Sequence, residues 1–234
     1  MNIILFGATG MVGQGALRAC LLDPKVQLVL TIGRTPTRMQ NAKLRELVHP
    51  DLFDYADIEP QLAGFDACFF CLGVASSGMS EANYHHITHE LTLAAAENLV
   101  RLNPGMTFIY VSGSGADSSE RGRTMWARVK GKTENSLLRL PFKAAYMFRP
   151  GFIQPLHGIQ SKTPLYRIFY SVTAPVLPLL RRLFPNQILT TEQIGHAMLR
   201  AAEHGAPKPV LEARDIRALS DGMKSRFAVA NDPL

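Results

Sequence analysis

Apolar residues gather in short, closely spaced runs through the first 150 positions: NIILF at 2–6, VQLVLTI at 26–32, a shorter run at 46–49, DACFFCL at 66–72, MTFIYVS at 106–112 and KAAYMFR at 143–149. They do not alternate strictly between apolar and polar residues, which is the pattern of strands buried on both faces of a parallel sheet. Between them, segments near 11–22, 80–102 and 122–139 carry helical patterning. Strands and helices alternating at this interval predict an α/β fold with a doubly wound parallel sheet. After Arg149-Pro150-Gly151 the texture changes. Prolines at 155, 164, 175, 178 and 185 interrupt residues 151–190, and helical patterning returns only near 191–204 and 214–224. The expected organisation is a core over residues 1–152 and a small C-terminal lobe over 153–234. The two pack as one structural unit, with the lobe over the carboxyl ends of the strands, where open α/β sheets take their ligands.

The chain has 234 residues, 47% of them apolar and 19% charged, enough to bury a sizeable core and too apolar to be disordered. Three cysteines cannot frame a disulfide-stapled fold, and Met1 to Phe6 runs into a glycine with no basic leader, so a reducing, cytoplasmic setting is expected. The longest apolar stretch, Ile168 to Leu180, is thirteen residues with two prolines, short of the ~20 that span a bilayer. Charge is lopsided: residues 1–117 hold seven Lys/Arg against eleven Asp/Glu, and 118–234 hold eighteen against eight. A basic second half suits an anionic ligand or a membrane surface, or is simply a solvated basic face. It is spread over several elements with no recognition motif, which argues against nucleic acid.

The strongest chemical signal is NIILFGATGMVG at 2–13. Gly7, Gly10 and Gly13 lie in G-x-x-G-x-x-G spacing between a predicted strand and a predicted helix. Gly7 permits the tight turn, Gly10 lets a pyrophosphate approach the backbone, and Gly13 permits close helix–strand contact. Free N–H groups of Thr9, Met11 and Val12 at the helix start would hold the pyrophosphate. An NAD site usually carries Asp or Glu about 20 residues further on. Here that stretch reads TIGRTPTR, and Arg34, assisted by Arg38, can instead fork onto a 2′-phosphate. NADP(H) is the expected cofactor.

These motifs, with HPDLFDY, CLG, YVSGSGAD, VKGKTE and FRPGF, resemble the short-chain dehydrogenase/reductases in their extended or atypical branch, near epimerase/dehydratase-like and Tat-interacting-protein-like members. The resemblance covers residues 1–152. It implies that Asp51 and Leu52 contact the adenine, that Cys71, Leu72 and Gly73 border the cofactor, and that Pro150, Gly151 and Phe152 lie beside the nicotinamide. It also implies that Ser112 or Ser114 polarises the substrate and that Lys130 holds the ribose hydroxyls.

One position departs from the family. Its Tyr-x-x-x-Lys pair becomes Trp126-Ala127-Arg128-Val129-Lys130, and an indole N–H supplies neither a usable proton nor a base near neutrality. Tyr84, Ser114 and His157 are candidate replacements. Lys130 has a plainer reading too, as a surface helix pair with Glu134. Cys68 and Cys71, three apart in a strand, face opposite sides and form no C-x-x-C site. Glu81, His85 and His89 share a helix face without a second cluster to close a metal site. Leu165 to Phe184, apolar with basic ends, reads as a pocket lid rather than a membrane contact. Two functions remain: an NADP(H)-dependent oxidoreductase or epimerase-type enzyme on a small apolar carbonyl-type substrate, or a non-catalytic NADP(H)-binding regulator or redox sensor. Whether the chain forms a homodimer is left open.

Overall fold

The computed structural model describes residues 1–159 and 187–230. In chain order the elements are β1 (Asn2–Phe6), α1 (Met11–Leu22), β2 (Leu28–Gly33), β3 (Leu44–Val48), β4 (Ala67–Phe70), α2 (Glu81–His85), α3 (Leu91–Leu102), β5 (Thr107–Val111), α4 (Met125–Arg139), β6 (Ala144–Arg149), β7 (Phe152–Gln154), β8 (Ile188–Thr190), α5 (Thr191–His204), β9 (Val210–Glu212) and α6 (Ala213–Ala230). Seven strands pair in parallel in the order β3-β2-β1-β4-β5-β6-β9, and β7 and β8 form a separate parallel pair. This is the doubly wound α/β sheet that the apolar runs predict. Strand order reverses beside β1, where the chain crosses from β3 to β4, and a crevice opens there at the carboxyl edge.

The strands are apolar throughout because both faces are covered. Side chains of one strand point alternately to opposite faces, so Ile3, Leu5 and Phe69 pack with α1, α5 and α6, while Ile4, Phe6, Cys68 and Phe70 pack with α3 and α4. Cys68 and Cys71 fall accordingly in the cores of opposite faces. The α1–α5 contact is very close: a Cβ on Gly15 would come within 2.6 Å of the Thr191 carbonyl oxygen, and one on Gly195 within 2.8 Å of Ala19 Cβ.

Three short strands escape the sequence pattern. β7, β8 and β9 have three residues each, too few for a period to show. β9 adds to the main sheet beside β6 and α6 covers it, so the chain beyond residue 152 contributes to the central layers. The helix expected over 80–102 is present but interrupted by a π-helical turn at His86–Glu90. The segment Leu165 to Phe184 lies outside the described residues. No helix among the described residues is long and apolar enough to cross a membrane.

Candidate functional site

Because the strands are parallel, the segments leaving the ends of β1, β2, β4, β5 and β6 all emerge at one edge of the sheet. Those segments carry Gly7–Gly13, Arg34, Cys71–Gly73, Ser112–Ser114 and Pro150–Phe152. Short main-chain bonds knit them: the Cys71 N–H donates to the Phe6 carbonyl (3.0 Å), that of Ser112 to Phe148 (2.7 Å) and that of Ser114 to Pro150 (3.1 Å).

The glycines have separate reasons. Gly7 has φ +76°, and a Cβ there would lie 2.7 Å from the Cys71 carbonyl carbon. A Cβ on Gly13 would sit 2.0 Å from the Gly7 carbonyl oxygen, so packing alone forbids it. Gly10 differs: its Cβ would meet one atom, the Gly7 oxygen, at 3.3 Å. The absent side chain at Gly10 therefore leaves the outer face of the loop open. Gly10 also begins α1, with no side-chain cap and no acidic residue in the first turn. The first-turn N–H groups of Met11, Val12 and Gly13 precede the first intrahelical donor, Gln14, which bonds Gly10 at 2.8 Å. This cradle suits an anion. Thr9 sits at its rim, its carbonyl accepting from the Gln14 side chain at 3.1 Å.

Arg34 follows β2, is exposed, and makes no hydrogen bond or ion pair with a described residue. Arg38 is exposed with φ +62°. Asp51 is exposed and one carboxylate oxygen accepts from the Phe53 N–H (2.9 Å). Leu52 is buried in the core with Leu30, Ile32 and Tyr55, so only its main chain can face a ligand.

The other half of the site comes from β5 and α4. Lys130 Nζ donates to the Tyr110 hydroxyl and to the Val111 carbonyl, both at 3.3 Å, and lies 5.0 Å from the Tyr110 ring centre. Burial pushes its pKa down to about 8, with the Glu134 charge opposing. The surface pairing of Lys130 with Glu134 does not form. Glu134 is buried and held by Arg149 of β6 (Nε to Oε1 3.0 Å), whose other nitrogens reach Ser118 Oγ (2.6 Å) and Glu212 (3.2 Å). Lys130 is therefore aimed at the carboxyl end of β5.

Ser112, immediately beyond that strand, is buried, and its Oγ has no hydrogen-bond partner. Ser114 is exposed. Of the two, only Ser112 has a buried hydroxyl without a hydrogen-bond partner among the described residues, a group that a ligand atom would satisfy. Trp126 stands against the same loop. A Cβ on Gly115 would be 3.5 Å from its ring and one on Gly113 4.0 Å.

Two candidate proton donors fall away. Tyr84 is closed off at 2% exposure, with burial raising its pKa. His157 lines a cavity with Arg18, Leu22 and His196 of α1 and α5, across the sheet from α4, and its Nε2 lies 3.2 Å from the Glu192 carboxylate. Glu81 is paired with Arg128 (2.6 Å). His85 and His89 touch at 4.6 Å between ring centres at the π turn. Burial, then His85, brings the His89 pKa down to about 4. Sequence reasoning missed Tyr110 and Arg149. Both sit inside apolar runs that read only as strand.

No family model matches the chain. It is 31% identical over 159 residues to the protein fmp52 of Emericella nidulans, a match spanning 65% of this chain and 66% of that one. It is 25% identical over 155 residues to HTATIP2 of Rattus norvegicus, spanning 65% and 62%. Among solved structures, the Bordetella bronchiseptica enzyme WbmF in complex with NAD+ superposes with TM-score 0.66 at 15% identity, covering all of this chain and 80% of that one. A short-chain dehydrogenase/reductase from Saccharomyces cerevisiae gives 0.63 at 14% identity, covering 94% and 98%. The cytoplasmic expectation is corrected by the first of these comparisons: the fmp52 relatives are named as mitochondrial proteins.

Proposed function

We propose, from a fold shared with the short-chain dehydrogenase/reductases, that the chain is an NADP(H)-binding oxidoreductase or epimerase-type enzyme acting on a small, apolar carbonyl-type substrate. The observation that carries this reading is the coincidence, at one sheet edge, of an uncapped helix start open at Gly10 with a half-buried lysine and an orphaned serine hydroxyl. A dinucleotide fits these residues. The N–H groups of Met11, Val12 and Gly13 hold its pyrophosphate, with Thr9 at the rim. Asp51 and the main chain of Leu52 meet the adenine. Cys71, Leu72 and Gly73 line the middle of the cleft, and Pro150, Gly151 and Phe152 flank the nicotinamide. When bound, the nicotinamide supplies a hydride or accepts one. Lys130 orients its ribose, and Ser112 donates a hydrogen bond to the substrate oxygen.

Arg34 carries the choice of NADP(H). It is an exposed guanidinium without a partner among the described residues, where an acid would otherwise greet a ribose hydroxyl. A charge-assisted contact to a 2′-phosphate contributes about 1.5–3 kcal/mol. Fluorescence titration should show NADPH bound about tenfold or more tightly than NADH, and Arg34→Ala should erase most of the difference. Equal affinities in the unaltered protein would sink the assignment.

Trp126 favours a second reading, in which the same cradle binds NADP(H) to switch a partner surface without turnover. The two part on one measurement, NADPH consumption over a panel of aldehydes and ketones.

A further inference from the structure

Resting on the oxidoreductase reading above, we propose that Lys130 is itself the proton donor to the substrate oxygen, filling the role that the indole of Trp126 cannot. Three observations lead there. First, the other candidates fall short: Tyr84 is shut in the core, His157 lines a cavity across the sheet, and Ser114 is an exposed alcohol with no ionisable partner among the described residues, too weak an acid to supply the proton near neutrality. Second, Lys130 is free of the ion pair its spacing suggests, because Arg149 occupies Glu134. Third, the ammonium has three hydrogens, and the structure uses two, in bonds of 3.3 Å that are long for N–H···O. One hydrogen remains, and the long bonds are easily traded for a ribose hydroxyl and a substrate oxygen. Ser112, next in the chain after the carbonyl that Lys130 touches, brings the second contact to that oxygen.

Tyr110 is the other hydroxyl beside Lys130, but it is only 1% exposed. It touches no substrate. It is a positioning residue, accepting from Nζ.

The step balances. The carbonyl carbon receives the hydride from the reduced dinucleotide, which is thereby oxidised. The π pair moves to oxygen. An N–H bond of Lys130 breaks as the O–H bond forms, leaving an alcohol and a neutral amine that takes a proton back from solvent.

The groups facing Lys130 are Tyr110 from β5 and Glu134 from its own helix. Tyr84 from α2 acts on Tyr110, and Arg149 from β6 holds Glu134. Burial lowers the lysine's pKa and Glu134 partly offsets this, leaving it at about 8. Reduction needs the ammonium. Its rate should be level below pH 8 and fall about tenfold per pH unit above it.

The test uses Lys130→Arg, whose guanidinium keeps charge and donors but cannot release a proton, with Lys130→Met beside it. Lys130→Arg should bind NADPH within about threefold of the natural protein while carbonyl reduction drops about 100-fold or more and the alkaline limb vanishes. Lys130→Met should lose both affinity and rate. NMR titration of ¹⁵Nζ-labelled lysines in the cofactor-free protein, with Lys130 assigned by its absence in the arginine variant, should give a midpoint near pH 8. Turnover in Lys130→Arg within tenfold of natural, a Lys130 midpoint at the ordinary lysine value, or a natural protein that binds NADPH and reduces nothing on the panel would each overturn the proposal. A natural protein that fails to bind NADPH overturns instead the reading on which it rests.

Discussion

The two faces of the sheet are built on different principles. Under α1, α5 and α6 the core is small and apolar: Gly15, Ala16 and Ala19 meet Thr191 and Gly195 so closely that no added Cβ fits at either glycine. Under α3 and α4 the core is bulky and partly polar. Phe6, Phe70 and Phe108 stack there beside Tyr110, Lys130, Thr133, Glu134 and Arg149. The first face presents main chain to a ligand, since tight packing brings the α1 N-terminus against β1 and β4 and no side chain intervenes. The second presents side chains, and buried charge must be paired to be tolerated there. The lesson is a division of labour. One face offers main chain through close packing, and the other places ionisable groups.

The largest test of this contrast strikes the polar face. Glu134→Ala strands the Arg149 guanidinium, which keeps only Ser118 and the half-exposed Glu212 as partners. Removing one member of a buried pair costs about 3–5 kcal/mol, and the two remaining contacts argue for the lower end. Thermal unfolding should fall by roughly 6–12 °C for a chain of this size. A shift under about 2 °C would mean that the polar face is not held by this pair.

A smaller effect is expected on the binding face. Gly10→Val meets only the Gly7 oxygen in the fold, so the melting temperature should move little. NADPH affinity should fall at least about 100-fold, or ~2.7 kcal/mol, because a branched side chain stands where the pyrophosphate approaches. A variant that still binds normally would reduce the loop to a structural turn. Gly13 offers the contrasting case, since any side chain there collides with Gly7 and should cost the fold itself.

The smallest expected change sharpens the chemical face. Trp126→Tyr places a phenol one helical turn before Lys130, facing the Ser112–Ser114 loop. Carbonyl reduction, followed as NADPH oxidation, should rise about tenfold, ~1.4 kcal/mol and the low end of what general acid catalysis gives. Intact NADPH binding with no gain would show that the pocket is not shaped around a donor at that position.

Much of this molecule was legible in its sequence. Buried parallel strands read as unbroken apolar runs, and the glycine loop is contiguous. The fold class, and the glycine loop at a helix start that it contains, follow from local order. The three-residue strands were not legible, because a strand of that length has no period and exists only through its neighbour's hydrogen bonds. Nor was the difference in burial between Ser112 and Ser114. Both follow β5, and only folding leaves one hydroxyl buried without a partner.

Lys130 shows the divide most plainly. Its spacing to Glu134 on the helix reads as a surface ion pair, a judgement local geometry alone supports. The tertiary structure instead brings Arg149 from β6, ten residues past the end of α4, and its bidentate guanidinium takes the carboxylate. That leaves the lysine in a half-buried site without its expected counter-charge, where desolvation makes its charge costly. Sequence determined which groups were available. Burial and the competition between two cations for one carboxylate decided which of them was left for chemistry.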